Sequence, residues 1–167
     1  DAGIERHDLG RKTRARQRFA LAKAASLPAG AWHLVGDLTQ AQRDEAALGW
    51  LLAMYRFDRY RPAKAAAAAT LHLPEGCNEA RLLAMAAGEY LTRDLINTPA
   101  ADMGPDQLEA AFLDLAARFG ATAKVVKGDE LLEQNFPMVH AVGRASPREP
   151  RLMDLHWGSS GPSLTLV

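Results

Sequence analysis

Three carboxylates, Asp102, Asp106 and Glu109, lie close together along this chain, and four histidines, His33, His72, His140 and His156, fall in strand-like segments. A two-metal hydrolase needs several carboxylates converging on ions about 3.5–4 Å apart that activate water and hold the attacking and leaving oxygens. The three acids do not form such a cluster. They sit where the first turn of a helix favours negative charge, and they read as helix-start residues. No pair of histidines has the i,i+4 or Cys/His spacing of a metal site, so they read as ordinary strand histidines. Cys77, beside Asn78 at a helix start, is the kind of thiol that a helix terminus can turn into a nucleophile. Without a recognisable histidine partner it reads as a turn cysteine. Ser159-Ser160-Gly161 lacks the Gly-x-Ser-x-Gly elbow, and the glycines around Gly143 and Gly158 form no phosphate-binding loop. The sequence therefore predicts no catalytic, cofactor-binding or metal-ligating residue within this chain.

The elements that would carry these side chains follow from local pattern. Ala31 to Val35, after Pro28 and Gly30, reads as a short strand between turn residues. Thr39-Gln40-Ala41-Gln42 has the capping-box pattern, and Ala47, Leu48, Leu51, Leu52, Tyr55 and Phe57 continue an apolar stripe toward a stop before Pro62. Alanines 65 to 69 favour helix but are hemmed in by Pro62 and Pro74, and Thr70 to Leu73 alternates as a strand. Asn78 caps a long helix whose face runs through Leu82, Met85, Ala86, Glu89, Tyr90 and Leu95 or Ile96 and which ends near Asn97, because Pro99 disfavours helix at Thr98.

Gly104 and Pro105 open a second helix with the stripe Leu108, Ala111, Phe112, Leu115, Ala116 and Phe119, closed by Gly120. A strand over 123–126, a short helix over 129–134 and a strand over 138–142 follow, and this β-α-β order implies neighbouring strands in one sheet. The chain then passes through a polar loop over 144–150, a strand over 151–157, a turn over 158–162 and the start of a buried strand over 164–167. The opening at Asp1 without methionine is read as a trimmed beginning, and the halt at Val167 as a truncation.

Composition narrows the function classes. The 167 residues are 48% hydrophobic and 24% charged, with no apolar run near the ~20 residues of a membrane span, so a soluble protein without a membrane partner is expected. Twenty basic against twenty acidic residues give no net charge, which speaks against nucleic acid as a partner. The basic run Arg6, Arg11, Lys12, Arg14, Arg16, Arg18 and Lys23 reads as a solvated segment. A single cysteine and no signal peptide favour the cytoplasm.

The segment Arg93-Asp94-Leu95-Ile96-Asn97-Thr98-Pro99-Ala100-Ala101-Asp102-Met103-Gly104-Pro105 is the most specific pattern present. It resembles the Asn-x-Pro-x-Asn-x-x-x-Pro turn of the leucine (cytosol) aminopeptidases, in which that turn joins a connecting helix to the catalytic domain. The resemblance extends over roughly 78–167, through Asp129-Glu130-Leu131-Leu132 and the segment from Phe136 to Trp157. Ala101 stands where the family usually has its second Asn, and Phe136-Pro137-Met138 replaces a more usual Gly-Met-Gly. Both departures suggest a divergent bacterial branch.

The resemblance implies an α/β fold: a partial N-terminal α/β domain over 1–77, a connecting helix over 78–98, and over 99–167 the first strands and helices of a mixed-sheet catalytic domain. It implies a peptide substrate, a homohexamer and two divalent ions, zinc, manganese or magnesium, in the full-length enzyme. The metal-binding Lys and Asp of the family follow the strand that matches 163–167, so no metal is expected in this chain, which should be inactive alone. Two rivals stand beside this reading. One is a macro-like module that binds DNA or a nucleotide, and the other is a structural subunit whose apolar sheet edge another chain covers.

Overall fold

The computed structural model describes residues 19, 22, 27–62 and 69–167. The basic run between Arg6 and Lys23 and the alanines 65–68 lie outside them. The chain is mixed α/β and divides into two compact units, 1–97 and 98–167. Among the described residues, no helix is long and apolar enough to cross a membrane.

The first unit pairs β1 (Gly30–Trp32) in parallel with β2 (Ala69–Leu71), matching Gly30 to Ala69 and Trp32 to Leu71. Between them in sequence, α1 (Gln40–Ala53) starts at the expected capping box: Thr39 Oγ1 accepts from the Gln42 N–H, and Gln42 Oε1 accepts from the Thr39 N–H at 2.9 Å. Trp50 of α1 and Ala69 of β2 form the core, enclosed by Leu27, Trp32, Leu34, Ala46, Met54 and Leu71. Helix α2 (Glu79–Asn97) buries Leu82 and Ala86, while Met85 and Ile96 are exposed. Its start is fixed by Asn78, whose Oδ1 accepts from the Arg81 N–H at 3.0 Å.

Several expected bounds change here. Helix α1 stops at Ala53 rather than running on toward Pro62, because the Met54 N–H bonds back to Trp50 and Leu51 and tightens the last turn. Beyond it Phe57 and Tyr60 turn toward each other, with ring centroids 5.9 Å apart, instead of extending the helical stripe. Both strands are also shorter than read. Val35 and Leu73 lie exposed past their ends, since a ladder persists only where both chains stay in register.

The second unit begins with α3 (Pro105–Phe119), closed as expected by Gly120 in the left-handed conformation, φ 62°. Strand β3 (Thr122–Lys127) runs antiparallel to β4 (Arg151–His156), pairing Thr122 with His156 and Lys127 with Arg151. Ala116, Val126 and the fully enclosed Leu131 of α4 (Glu130–Glu133) make the buried centre.

Residues 138–142 are not a strand. They belong to α5 (Pro137–Gly143), where Pro137 occupies the first turn and so loses no hydrogen bond. The neighbour of β3 is therefore β4, reached through two short helices, and the β-α-β reading of this stretch gives way to an antiparallel pair. Residues 164–167 form no strand either. Leu164 and Leu166 are 83% and 85% exposed, and apolar strand formers stay irregular without a hydrogen-bonded neighbour.

Candidate functional site at the interhelix turn

The turn that follows α2 is built from its own backbone first. Pro99 ends the helix, and its carbonyl accepts from the N–H groups of Asp102 at 2.8 Å and Met103 at 2.9 Å. Gly104 then caps α3. Lacking a side chain, it supplies only half of a capping box, with its N–H donating to Gln107 Oε1 at 3.0 Å.

Over this turn lies Arg148, from the loop between α5 and β4. Its guanidinium donates to the Ala101 carbonyl at 3.1 Å and to Gln107 Oε1 at 3.1 Å, and its Nε lies 3.8 Å from Asp106 Oδ1. A planar fork of donors suits a site where a carbonyl, an amide oxygen and a carboxylate converge. A Cβ on Gly104 would overlap the Arg148 guanidinium, so glycine at this cap permits the close approach. The Asp106 carboxyl is held below the usual carboxylate range, chiefly by its own backbone N–H and then by Gln107 and Arg148, against an opposing effect of partial burial.

Glu109, read from sequence as a helix-start acid, has a different role. It forms an ion pair with Arg151 of β4, joining α3 to the sheet, with side chains 16% and 9% exposed. Asp102 lies exposed in the turn itself. The structure thus spreads the three acids over a turn, a cap and a part-buried ion pair, and does not bring them together.

Within the first unit, Tyr55 holds the C-terminal end of α2. Its hydroxyl donates to Asp94 Oδ1 at 2.7 Å and accepts from Asn97 Nδ2 at 3.1 Å. Arg93 donates to the Leu52 carbonyl at 3.1 Å and stands 5.3 Å from the Tyr55 ring centroid, while the Tyr90 hydroxyl donates to the Leu51 carbonyl. Partial burial and the Asp94 hydrogen bond push the Tyr55 phenol above its usual value.

The histidines separate. His33 and His72 stack on each other past the ends of β1 and β2. His156 lies on β4 with Nε2 3.0 Å from Asp154, whereas His140 is helical, correcting its strand assignment, and meets Asp129 at 3.3 Å. Among the described residues no serine or cysteine hydrogen bond joins either His–Asp pair. Cys77 contacts Gln40, and burial, followed by hydrogen bonding to Asp44, pushes its thiol up. That is opposite to what a helix-terminus nucleophile requires. Among the described residues no group of three or more His, Cys, Asp or Glu side chains could hold a metal ion. The described residues do not fit a two-metal centre.

Beside the turn, Met103, Pro105, Leu108, Met138, Val142 and Met153 line an apolar groove of about 720 Å³. The arrangement ties the turn's backbone down by hydrogen bonds and offers apolar surface next to it. Neither the Arg148 contacts nor the Glu109–Arg151 pair had a local sequence pattern, because each links residues 41 or more positions apart.

Against this geometry the comparisons with known proteins agree on one family. Residues 90–167 match the profile of the cytosol aminopeptidase family, catalytic domain, and residues 2–74 match the M17 aminopeptidase N-terminal domain. The chain belongs to the cytosol aminopeptidase family. It is 34% identical over 140 residues to a probable cytosol aminopeptidase of Aeropyrum pernix, covering 81% of this chain and 28% of that protein. Peptidase B of Pectobacterium carotovorum is 42% identical over 72 residues, 41% of this chain and 16% of its own length.

Among solved structures, the cytosol aminopeptidase from Coxiella burnetii superposes with a TM-score of 0.77 at 37% identity, over 85% of this chain and 31% of that one. The bottromycin maturation enzyme BotP in complex with Mn gives 0.71 at 30% identity, over 88% and 34%. The chain therefore spans about a third or less of the length of these relatives.

Proposed function

We propose that the whole protein is a metal-dependent aminopeptidase that removes N-terminal residues from peptides with water activated by two divalent ions, zinc, manganese or magnesium. In this reading the chain supplies an N-terminal α/β domain over 1–77, a connecting helix over 78–98, and over 99–167 the start of the catalytic domain. Its residues position, and residues outside it bind metal and substrate. The observation that carries the reading is that one chain matches both domains of one peptidase family, with the turn that opens its second unit held by Arg148 at the Ala101 carbonyl. A manganese-bound structural neighbour supports divalent metal use, and the names of the relatives support a cytoplasmic setting. A homohexamer completes the proposal.

Hydrolysis of leucine p-nitroanilide with added Mn²⁺ or Zn²⁺ tests it. The whole protein should turn over the substrate, lose activity to a chelator and regain it with metal, while these 167 residues alone should show none. A whole protein that is inactive with every divalent ion sinks the enzymatic reading, and robust turnover by this chain alone sinks the division of labour.

A further inference from the structure

His33 and His72 are far apart in sequence, yet their rings stack with centroids 4.2 Å apart and planes inclined by 6°. The sheet sets this contact. The parallel register matches Trp32 to Leu71, which places the next residues of both strands side by side. The last ladder bond lies beside them, with the His72 N–H donating to the Trp32 carbonyl at 2.8 Å. Trp32 and Leu71 pack on the core, so alternation along the strands puts the two imidazoles on the opposite, solvent-facing side, where both are exposed.

An imidazole nitrogen that carries no proton offers a lone pair in the plane of its ring. Neutral imidazole is a ligand for borderline ions such as zinc, nickel and copper, and a hard ion such as magnesium would prefer oxygen. Zinc sits about 2.0–2.1 Å from imidazole nitrogen, so two nitrogens on one tetrahedral ion lie roughly 3.3 Å apart. Because the lone pairs lie in the ring planes, the two rings must rotate out of their parallel stack to aim nitrogen at one ion, and exposed side chains can do so without losing core contacts.

We propose that His33 and His72 form a cross-strand site for one borderline divalent transition-metal ion, with water completing its coordination. The ion would clamp β1 to β2, a pair of three-residue strands that is short enough to gain measurably from a bridge.

Calorimetric titration of Zn²⁺ into the intact chain tests the site, together with long-range ¹H–¹⁵N spectra of the imidazole nitrogens. Saturable binding of a single ion is expected, with the His33 and His72 ring nitrogens shifting together and the thermal midpoint rising. His33→Gln and His72→Gln should each weaken binding by about tenfold or more, because each removes half of the protein ligands. Their metal-free melting should match that of the native chain, since both rings are exposed. His140→Gln and His156→Gln should bind as the native chain does. The proposal is overturned by the lack of saturable binding below about 1 mM, a range in which weak cation sites still register. It is equally overturned by unchanged affinity in either His33→Gln or His72→Gln, or by loss of binding in His156→Gln.

Discussion

Glu109 of α3 and Arg151 of β4 form an ion pair whose side chains are 16% and 9% exposed, and the same guanidinium also donates to the Glu149 carbonyl at 3.1 and 3.2 Å. Removing one partner leaves the other charge poorly solvated, which costs far more than the intact pair contributes. Glu109→Ala should therefore lower stability by about 2–3 kcal/mol, below the roughly 3–5 kcal/mol of fully buried pairs because Arg151 keeps its carbonyl bonds. The double variant Glu109→Leu/Arg151→Met should recover most of that loss. Urea midpoints of the three proteins decide the matter, and a single variant as stable as the native chain would contradict it.

The Arg148 clamp makes a local prediction. Arg148→Ala removes bonds to Ala101 and Gln107 and should cost about 1–2 kcal/mol, with faster amide exchange at Asp102 and Met103. Gly104→Ala should have the same effect through collision with the guanidinium, even though alanine is the better helix former. Exchange rates at those two amides that match the native protein in both variants would remove the clamp from the account.

Tyr55 sets an alkaline limit. Its phenol titrates above its ordinary value of 10.0 in the folded protein, so the folded state holds that proton more tightly than the unfolded one. The resulting stability is fully present below pH 10 and is lost as pH rises through the folded value. Tyr90 shifts the same way, through burial, so Tyr55→Phe should reduce the alkaline fall in melting temperature without abolishing it. An identical alkaline profile in that variant would exclude Tyr55 as a contributor.

Asn78 is the cleanest helix boundary. Replacing it by alanine strips the Arg81 N–H of its partner and should cost about 1 kcal/mol, whereas glycine should cost only a few tenths. Equal losses for the two substitutions would mean that Asn78 stabilises α2 by something other than its side-chain oxygen.

The starts of α1, α2 and α3 and the end of α3 were legible in the sequence because their chemistry is local: Thr39 with Gln42, Asn78 with Arg81, and Gly104-Pro105 and Gly120 around α3 all lie within a turn of what they satisfy. Strand identity was less so. Met138 to Val142 is a short apolar run that either period can accommodate, and the arbiter was Pro137, whose fixed backbone angle suits a first helical turn. The apolar tail over 164–167 had strand composition but pairs with no strand among the described residues. What holds the turn was not legible at all. Arg148 reaches across the fold to Ala101, and nothing near either residue announces the other.

Arg148 meets position 101 only at its main-chain oxygen, which every amino acid possesses. The identity of the side chain there is thus invisible to the guanidinium that fixes the bend. A different side chain at 101 would leave the same backbone acceptor in place. Drift at this residue is uncoupled from the geometry it helps to maintain.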